Sequence, residues 1–195
     1  MKNKSCDDDI IMDSKQSKYY SSIVTLSKDR NIFLSEDVTK EVSDAMLSLL
    51  IYYDHINPSA DITIYINSNG GDADALINMV DIINMISAPV RTICIGKAFS
   101  AGAVLLSAGT KGKRLALKNS CVMIHGIQSA FPLINKTAKQ SELDFQLLEL
   151  YNNKVVEILA KTCGKTVDEV LKDCKEDLYL SAQDAINYGL IDAIV

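Results

Sequence analysis

Two residues of this chain could together form the centre of a nucleophilic site, Ser100 and His125. Ser100 stands between an apolar run typical of a strand, residues 90–95 (VRTICI), and a run of small and apolar residues typical of a helix, residues 101–108. This junction would place the hydroxyl at a helix N-terminus, where unpaired N–H groups and the helix dipole stabilise a developing negative charge. His125 ends a second apolar run, and histidine is the usual base for a serine nucleophile at neutral pH. The pair indicates a serine hydrolase, although a serine in this position is more often only a helix cap.

The third member of a catalytic triad is less easily chosen. Position 98 is alanine, so Ser100 is not in a G-x-S-x-G motif, and no histidine follows His125, which excludes the chain order of the α/β-hydrolases. A triad is defined by geometry rather than by chain order, so an acid after the histidine is allowed. The candidate acids are Asp144, Asp168, Asp173 and Asp177. Asp177 is favoured because it ends a polar segment just before residues 178–180, where a loop could return to the edge of a sheet.

Backbone N–H groups could complete such a site as an oxyanion hole. Gly70 and Gly71 follow a strand-like run, and glycine permits both a close backbone approach and an unusual φ. The N–H of Ala101 would begin the helix beside Ser100. One N–H of the Gly70–Gly71 turn and the N–H of Ala101 could therefore serve as the two oxyanion donors.

Alternating strand-like and helix-like patterns must position these residues. The predicted strands are residues 31–34, 61–67, 90–95, 113–117 and 121–124. The predicted helices are one capped by Ser35, residues 72–86, the helix after Ser100, a long helix over 136–161, and two that open with capping boxes at 166–169 and 181–184. This alternation predicts an α/β fold with a largely parallel sheet, in one domain over residues 19–195. Residues 1–18 are polar and patternless, which predicts a mobile N-terminal arm.

Composition excludes several classes of protein. The chain has 195 residues, is 48% hydrophobic and carries a formal net charge of −5, which argues against nucleic acid or an anionic membrane as the main partner. Five cysteines without a C-x-x-C pair argue against a disulfide framework or a zinc site, and together with the absence of a defensible targeting sequence they favour a cytoplasmic protein. No metal or organic cofactor is expected.

Several longer motifs resemble one family. They are IYINSNGG (64–71), TICIG (92–96), AFSAGA (98–103), AGTKGKR (108–114), NSCVMIH (119–125) and LSAQDAINYGLID (180–192). Together they are similar to the proteolytic subunit of the ATP-dependent Clp protease (ClpP), from about Ile32 to Ile194. The resemblance implies a crotonase-like (ClpP-type) fold with a protruding handle helix, and a serine endopeptidase with Ser100 as nucleophile, His125 as base and Asp177 as the acid. It places Gly71 and Ala101 as the oxyanion donors. It also implies heptameric rings stacked into a tetradecamer, and an AAA+ unfoldase that consumes ATP and feeds unfolded proteins and peptides.

The chain departs from the family pattern at three places. The usual Ser-Pro-Gly-Gly turn has asparagine at position 69, the segment 126–135 differs from the family's Gln-Pro and glycine-rich stretch, and Glu176 replaces an arginine that takes part in pairing between rings. These departures keep open an alternative, a weakly active or inactive ring subunit that needs a paralogue. A second alternative is an acyl-CoA-binding enzyme of the related crotonase fold, which usually lacks a Ser-His-Asp set.

Overall fold

The computed structural model of the chain describes residues 26–127 and 137–195. The sheet within these residues contains β1 (Asn31–Leu34), β2 (Ile62–Ser68), β3 (Val90–Phe99), β4 (Arg114–Ala116), β5 (Cys121–Ile124), β6 (Leu178–Ser181) and β7 (Ala193–Ile194). The helices are α1 (Lys40–Ile56), α2 (Ala73–Met85), α3 (Ala101–Ser107), α4 (Ala138–Cys163), α5 (Val167–Asp173) and α6 (Ala182–Tyr188). The predicted N-terminal arm, residues 1–18, lies outside the described residues.

The sheet is mostly parallel, and it branches at its longest strand. β1, β2, β3, β4 and β7 lie side by side in that order, and each pair is parallel. The first half of β3 pairs with β4, whereas its last three residues, Lys97–Phe99, pair with β5. β6 then runs antiparallel to β5. This architecture confirms the predicted α/β fold class, and it places the β5–β6 pair beside the carboxyl end of β3.

The core forms where the helices cover the parallel strands. Ile62, Ile64 and Ile66 of β2 are fully buried, as expected for a strand covered on both faces. Every residue of α3 is buried as well. Its small residues let the helix approach the sheet closely, and a Cβ added at Gly102 would already be 3.4 Å from the Ser68 carbonyl oxygen. α3 therefore begins from a fixed, buried position directly after β3.

Most predicted boundaries are close to the observed ones, and two are wrong. β3 does not end at Ile95 but continues to Phe99, because its last three residues pair with β5. α1 does not begin at Ser35. It begins at Lys40, and Thr39 is its cap, with the Thr39 side chain accepting the N–H of Val42 at 3.3 Å. The reason is a long-range contact, since Val38 forms a parallel β-bridge with Gly71 and its backbone must stay extended. The capping boxes predicted at 166–169 and 181–184 are confirmed.

The long helix lies two residues further along the chain than predicted. It covers Ala138–Cys163 instead of 136–161, and it opens with a capping box between Thr137 and Gln140. Gly164 ends it in the left-handed conformation with φ 69°, as its sequence position predicts. None of the helices in the described part of the chain is long and apolar enough to cross a membrane.

The cysteines in the described part of the chain are all free thiols. Cys94 is fully buried, as expected for core packing, whereas Cys121 is only half-buried. Burial raises the pKa of the Cys94 thiol, so it remains protonated and inert at neutral pH.

A buried ion pair ties the C-terminal strand to the rest of the sheet. Arg114, at 1% side-chain exposure, donates from Nη2 to Asp192 Oδ1 at 2.6 Å and from Nε to Asp192 Oδ2 at 2.9 Å. Arg114 also donates to the Thr162 carbonyl at the end of α4, at 2.9 Å. Burial alone would raise the pKa of Asp192, but the hydrogen bonds from Arg114 outweigh it and hold this pKa well below its usual range. The pair therefore connects β4, β7 and α4.

We predict that Asp192→Asn destabilises the fold by about 3–5 kcal/mol, because it leaves a buried guanidinium without its partner. A carboxyl whose pKa is lowered by folding stabilises the protein above the unfolded-state value of about 4, and this contribution is lost as the pH falls further. Denaturant unfolding should thus show that acidification below about pH 4 costs the wild-type protein more stability than the variant. Asp61→Asn, which removes a partly exposed pair with Lys113, is the control and should cost about 1 kcal/mol or less. An equal loss in both variants would contradict this assignment.

Candidate active site

Ser100 has an unusual backbone conformation, with φ 52° and ψ −120°. β3 ends at Phe99 and α3 begins at Ala101, so this single residue makes the whole turn from strand to helix. Its N–H donates to the Met123 carbonyl at 2.8 Å, which ties the turn to β5. A non-glycine residue at positive φ costs about 1–3 kcal/mol and persists only where the surroundings hold it. The strand-to-helix turn with a strained serine thus exists here without a G-x-S-x-G motif.

The Ser100 side chain does not cap α3, although a serine at such a junction usually does. No hydrogen bond from the helix reaches its hydroxyl. Instead, Oγ lies 2.8 Å from Nε2 of His125. The hydroxyl is therefore paired with a base and stands at the end of a helix whose dipole favours negative charge.

Pairing between β5 and β6 brings His125 and Asp177 together. Ile124, the last residue of β5, is the register partner of Leu178, the first residue of β6. The residues just outside this pair, His125 and Asp177, must then face each other across the strand ends. Nδ1 of His125 lies 3.1 Å from Oδ1 of Asp177. The His125 side chain is 15% exposed and that of Asp177 is 43% exposed, so the acid is at the rim of the site.

The other candidate acids lie elsewhere in the fold. Asp144 is on α4 and Asp168 is in the first turn of α5. Asp173 ends α5 and forms an ion pair with Lys165 at 3.9 Å. Of the four candidates, Asp177 is the one that the structure places against His125.

The chain after His125 is anchored by contacts that the sequence did not reveal. Gly126 N–H donates to the Cys174 carbonyl at 2.8 Å, and Ile127 N–H donates to Oδ1 of Asn152 at 3.1 Å. Asn152 is on α4, where its side chain carries no motif that would mark it. The segment 126–135, which differs from the family pattern, lies within the described residues only as far as Ile127. Glu176, which stands where the family has arginine, is exposed beside Asp177.

The glycine turn after β2 packs directly against Ser100. Gly70 has φ +99°, and a Cβ added there would lie 2.7 Å from the Phe99 carbonyl oxygen and 2.8 Å from Cβ of Ser100. Val38 holds the turn from the other side, because its N–H donates to Gly70 O at 2.7 Å and its carbonyl accepts the Asp72 N–H at 2.8 Å. In a parallel bridge of this kind the middle residue, Gly71, directs its own N–H away from Val38.

Ala101 is the first residue of α3, so its N–H has no partner within the helix. Two later N–H groups of the helix, from Ala103 and Val104, donate to the Ser100 carbonyl. Gly71 and Ala101 both line the same cavity as Ser100. The two predicted oxyanion donors therefore lie beside the cavity that Ser100 also lines.

This cavity has a volume of about 710 Å³ and is mainly apolar. Its apolar lining consists of Leu76, Val104, Met123, Ile124, Ile127, Leu147, Leu148, Val155 and Leu159. Ser100 and His125 are at one side of it, so a substrate carbonyl at Ser100 would place a neighbouring apolar group inside. No cluster of residues able to hold a metal ion occurs in the parts of the chain that are described.

Comparison with known protein families matches residues 14–195 to the family described as Clp protease. The match covers nearly the whole chain, including every residue described above. It agrees with the resemblance that the sequence motifs indicated.

The close approach of Gly70 to Ser100 gives a test of the site. We predict that Gly70→Ala lowers the free energy of unfolding by about 3 kcal/mol or more, since it adds a steric overlap to backbone strain. It should also abolish hydrolysis of a short fluorogenic peptide. Gly164→Ala is the control, because Gly164 has φ +69° and nothing within 4 Å of an added Cβ. The control should lose about 1 kcal/mol of stability and keep its activity; equal behaviour of the two variants would show that the overlap with Ser100 is unimportant.

Proposed function

Since the chain belongs to the Clp protease family, we propose that it is a serine endopeptidase in which Ser100 is the nucleophile, His125 the general base and Asp177 the acid that orients the histidine. One observation carries this proposal. Two hydrogen bonds connect the three side chains in sequence, Oγ to Nε2 at 2.8 Å and Nδ1 to Oδ1 at 3.1 Å. These are the contacts that activation of a serine hydroxyl requires.

In the first half of the reaction, Oγ of Ser100 attacks the carbonyl carbon of a peptide bond while Nε2 of His125 takes the hydroxyl proton. The electron pair of the C=O bond moves to the oxygen, and the N–H groups of Gly71 and Ala101 stabilise the resulting oxyanion. The tetrahedral intermediate then collapses and the C–N bond breaks. The departing amine takes the proton from His125, which leaves an ester between Ser100 and the acyl half of the substrate.

In the second half, water replaces the amine. His125 takes a proton from the water, whose oxygen attacks the ester, and returns that proton to Oγ of Ser100 as the acid product leaves. The carboxylate of Asp177 accepts the Nδ1–H throughout, so it fixes the tautomer and stabilises the imidazolium that forms in each half. Every step uses groups of this chain and of the substrate, so the peptidase reaction itself requires no cofactor.

An unfolded substrate fits the shape of the site. The cavity offers an apolar surface for one side chain, and an unfolded chain can place a side chain there more readily than a compact folded protein can. We therefore propose that an AAA+ unfoldase delivers the substrate and consumes the ATP.

The chain also has a surface suited to ring assembly. Leu143, Phe145 and Leu150 of α4 are each more than half exposed. A single chain gains nothing by exposing these large apolar groups, so their exposure supports α4 as the handle that joins two heptameric rings. We propose a homo-oligomer of two stacked rings as the active assembly.

The test compares peptide hydrolysis by five variants of the full chain. Ser100→Ala and His125→Ala should each reduce kcat by about 10³-fold or more, and the double variant should be no worse than either, because the two groups act as one unit. Asp177→Asn should reduce kcat by about 10²–10⁴-fold through loss of the correct tautomer. Asp173→Asn, which changes an acid four residues away that pairs with Lys165, is the matched control and should keep near wild-type activity.

Two results would contradict the proposal. Unchanged hydrolysis in Ser100→Ala would assign the activity to another group. A wild-type assembly that hydrolyses no peptide alone, but gains activity when a paralogous subunit and an unfoldase are added, would favour the alternative of a ring subunit that depends on its partner.

A further inference from the structure

The cavity beside Ser100 has two walls that come from distant parts of the chain. One wall is the glycine turn with the start of α2, and the other is one face of α4. Tyr151 of α4 donates a hydrogen bond from its hydroxyl to Oδ1 of Asp74, at 3.0 Å. Asp74 is the second residue of α2, so this bond joins the two walls at the edge of the cavity.

Tyr151 lies in the middle of the face of α4 that lines the cavity. Leu147 and Leu148 precede it by one turn and Val155 follows it by one turn, which places all four side chains on the same side of the helix. A bond from Tyr151 therefore holds the whole lining face of α4 at a set distance from α2. This bond could not be predicted from the sequence, because Tyr151 fits the apolar periodicity of α4 as well as a leucine would.

Both partners of this bond are held in place. Asp74 is in the first turn of α2, where the helix dipole favours a carboxylate. The ring of Tyr151 is half-buried, and Nζ of Lys154 lies 5.7 Å from its centroid. The hydrogen bond to Asp74, with a contribution from burial, raises the pKa of Tyr151, so its hydroxyl remains a donor throughout the neutral range.

We propose that Tyr151 is a positioning residue that determines specificity: through Asp74 it fixes the width of the cavity that receives the substrate side chain next to the bond attacked by Ser100. Without the bond, the lining face of α4 can move away from α2 and the cavity widens. Substrates with a larger side chain at this position are then cleaved more efficiently relative to those with a smaller one. This inference rests on the proposed function, because it concerns the substrate of the same site.

The test uses two fluorogenic peptides that differ only in the residue before the reporter amide, leucine in one and tryptophan in the other. Tyr151→Phe keeps the ring and removes the donor, and Asp74→Ala removes the acceptor. Each variant should raise the ratio of kcat/KM for the tryptophan peptide over the leucine peptide by about fivefold. This fold-change corresponds to the free energy of one hydrogen bond, and it should come mainly from a change in KM. Tyr52→Phe, at an exposed tyrosine of α1, is the matched control and should leave the ratio unchanged.

Asp74→Asn separates the hydrogen bond from the charge. Asparagine keeps an oxygen that can accept from the Tyr151 hydroxyl but carries no charge, so this variant should retain the wild-type ratio. If Asp74→Asn behaves like Asp74→Ala, the negative charge sets the preference and the inference is overturned. It is also overturned if Tyr151→Phe has the same ratio as Tyr52→Phe.

A binding measurement makes the inference independent of turnover. Calorimetric titration of the Ser100→Ala protein with the two product peptides, ending in leucine or tryptophan, should show the same shift in affinity ratio when Tyr151→Phe is added. If the wild-type chain hydrolyses nothing but this shift occurs, the proposed function fails and the inference holds. If neither product peptide binds to any variant, the cavity takes no side chain and the inference is overturned.

Discussion

The candidate site depends on one backbone constraint, the positive φ of Ser100. β3 passes into α3 without a loop, and only a residue in this strained conformation can make so sharp a turn. The strain is held by a hydrogen bond to Met123 on one side and by the close approach of Gly70 on the other. Because α3 is fully buried, it cannot shift to relieve the turn. The hydroxyl is consequently held at the helix N-terminus before any substrate binds.

The branching of the sheet supplies the other half of the arrangement. β3 is long enough to pair with β4 along its first half and with β5 at its end, so β5 ends beside the turn that carries Ser100. β6 pairs with β5, and Asp177 is the residue directly before β6. Since both His125 and Asp177 adjoin paired strand ends, their spacing is set by backbone hydrogen bonds rather than by flexible side chains. Rigid elements of this kind are what precise side-chain geometry requires.

Much of this could be predicted from local sequence. The alternation of strands and helices, the two capping boxes and the end of α4 at Gly164 follow from patterns within a few residues. Ser100 and His125 were identifiable because each residue type stands at an element boundary where its chemistry is useful. The motif resemblance, rather than spacing, selected Asp177, since it lies 52 positions after His125 and no local signal connects the two.

The features that were missed depend on contacts between distant segments. The start of α1 was predicted at Ser35 because Glu36 and Asp37 suit a first turn, but the bridge from Val38 to Gly71 keeps that segment extended. The anchoring of Ile127 by Asn152 likewise crosses between separate elements. In the first case a tertiary contact overrode the local helix propensity. In the second case no local pattern predicts the hydrogen bond, because its two partners belong to separate elements.

Covalent labelling is the most direct test of whether the groups around Ser100 activate its hydroxyl. The full-length protein is incubated with a fluorophosphonate, its intact mass is measured, and the modified residue is located by peptide mapping beside a Ser100→Ala control. If the hydroxyl is activated, the protein should carry a single adduct on Ser100 that is absent from the control. An unmodified wild-type protein, or an adduct that persists in Ser100→Ala, would contradict this activation.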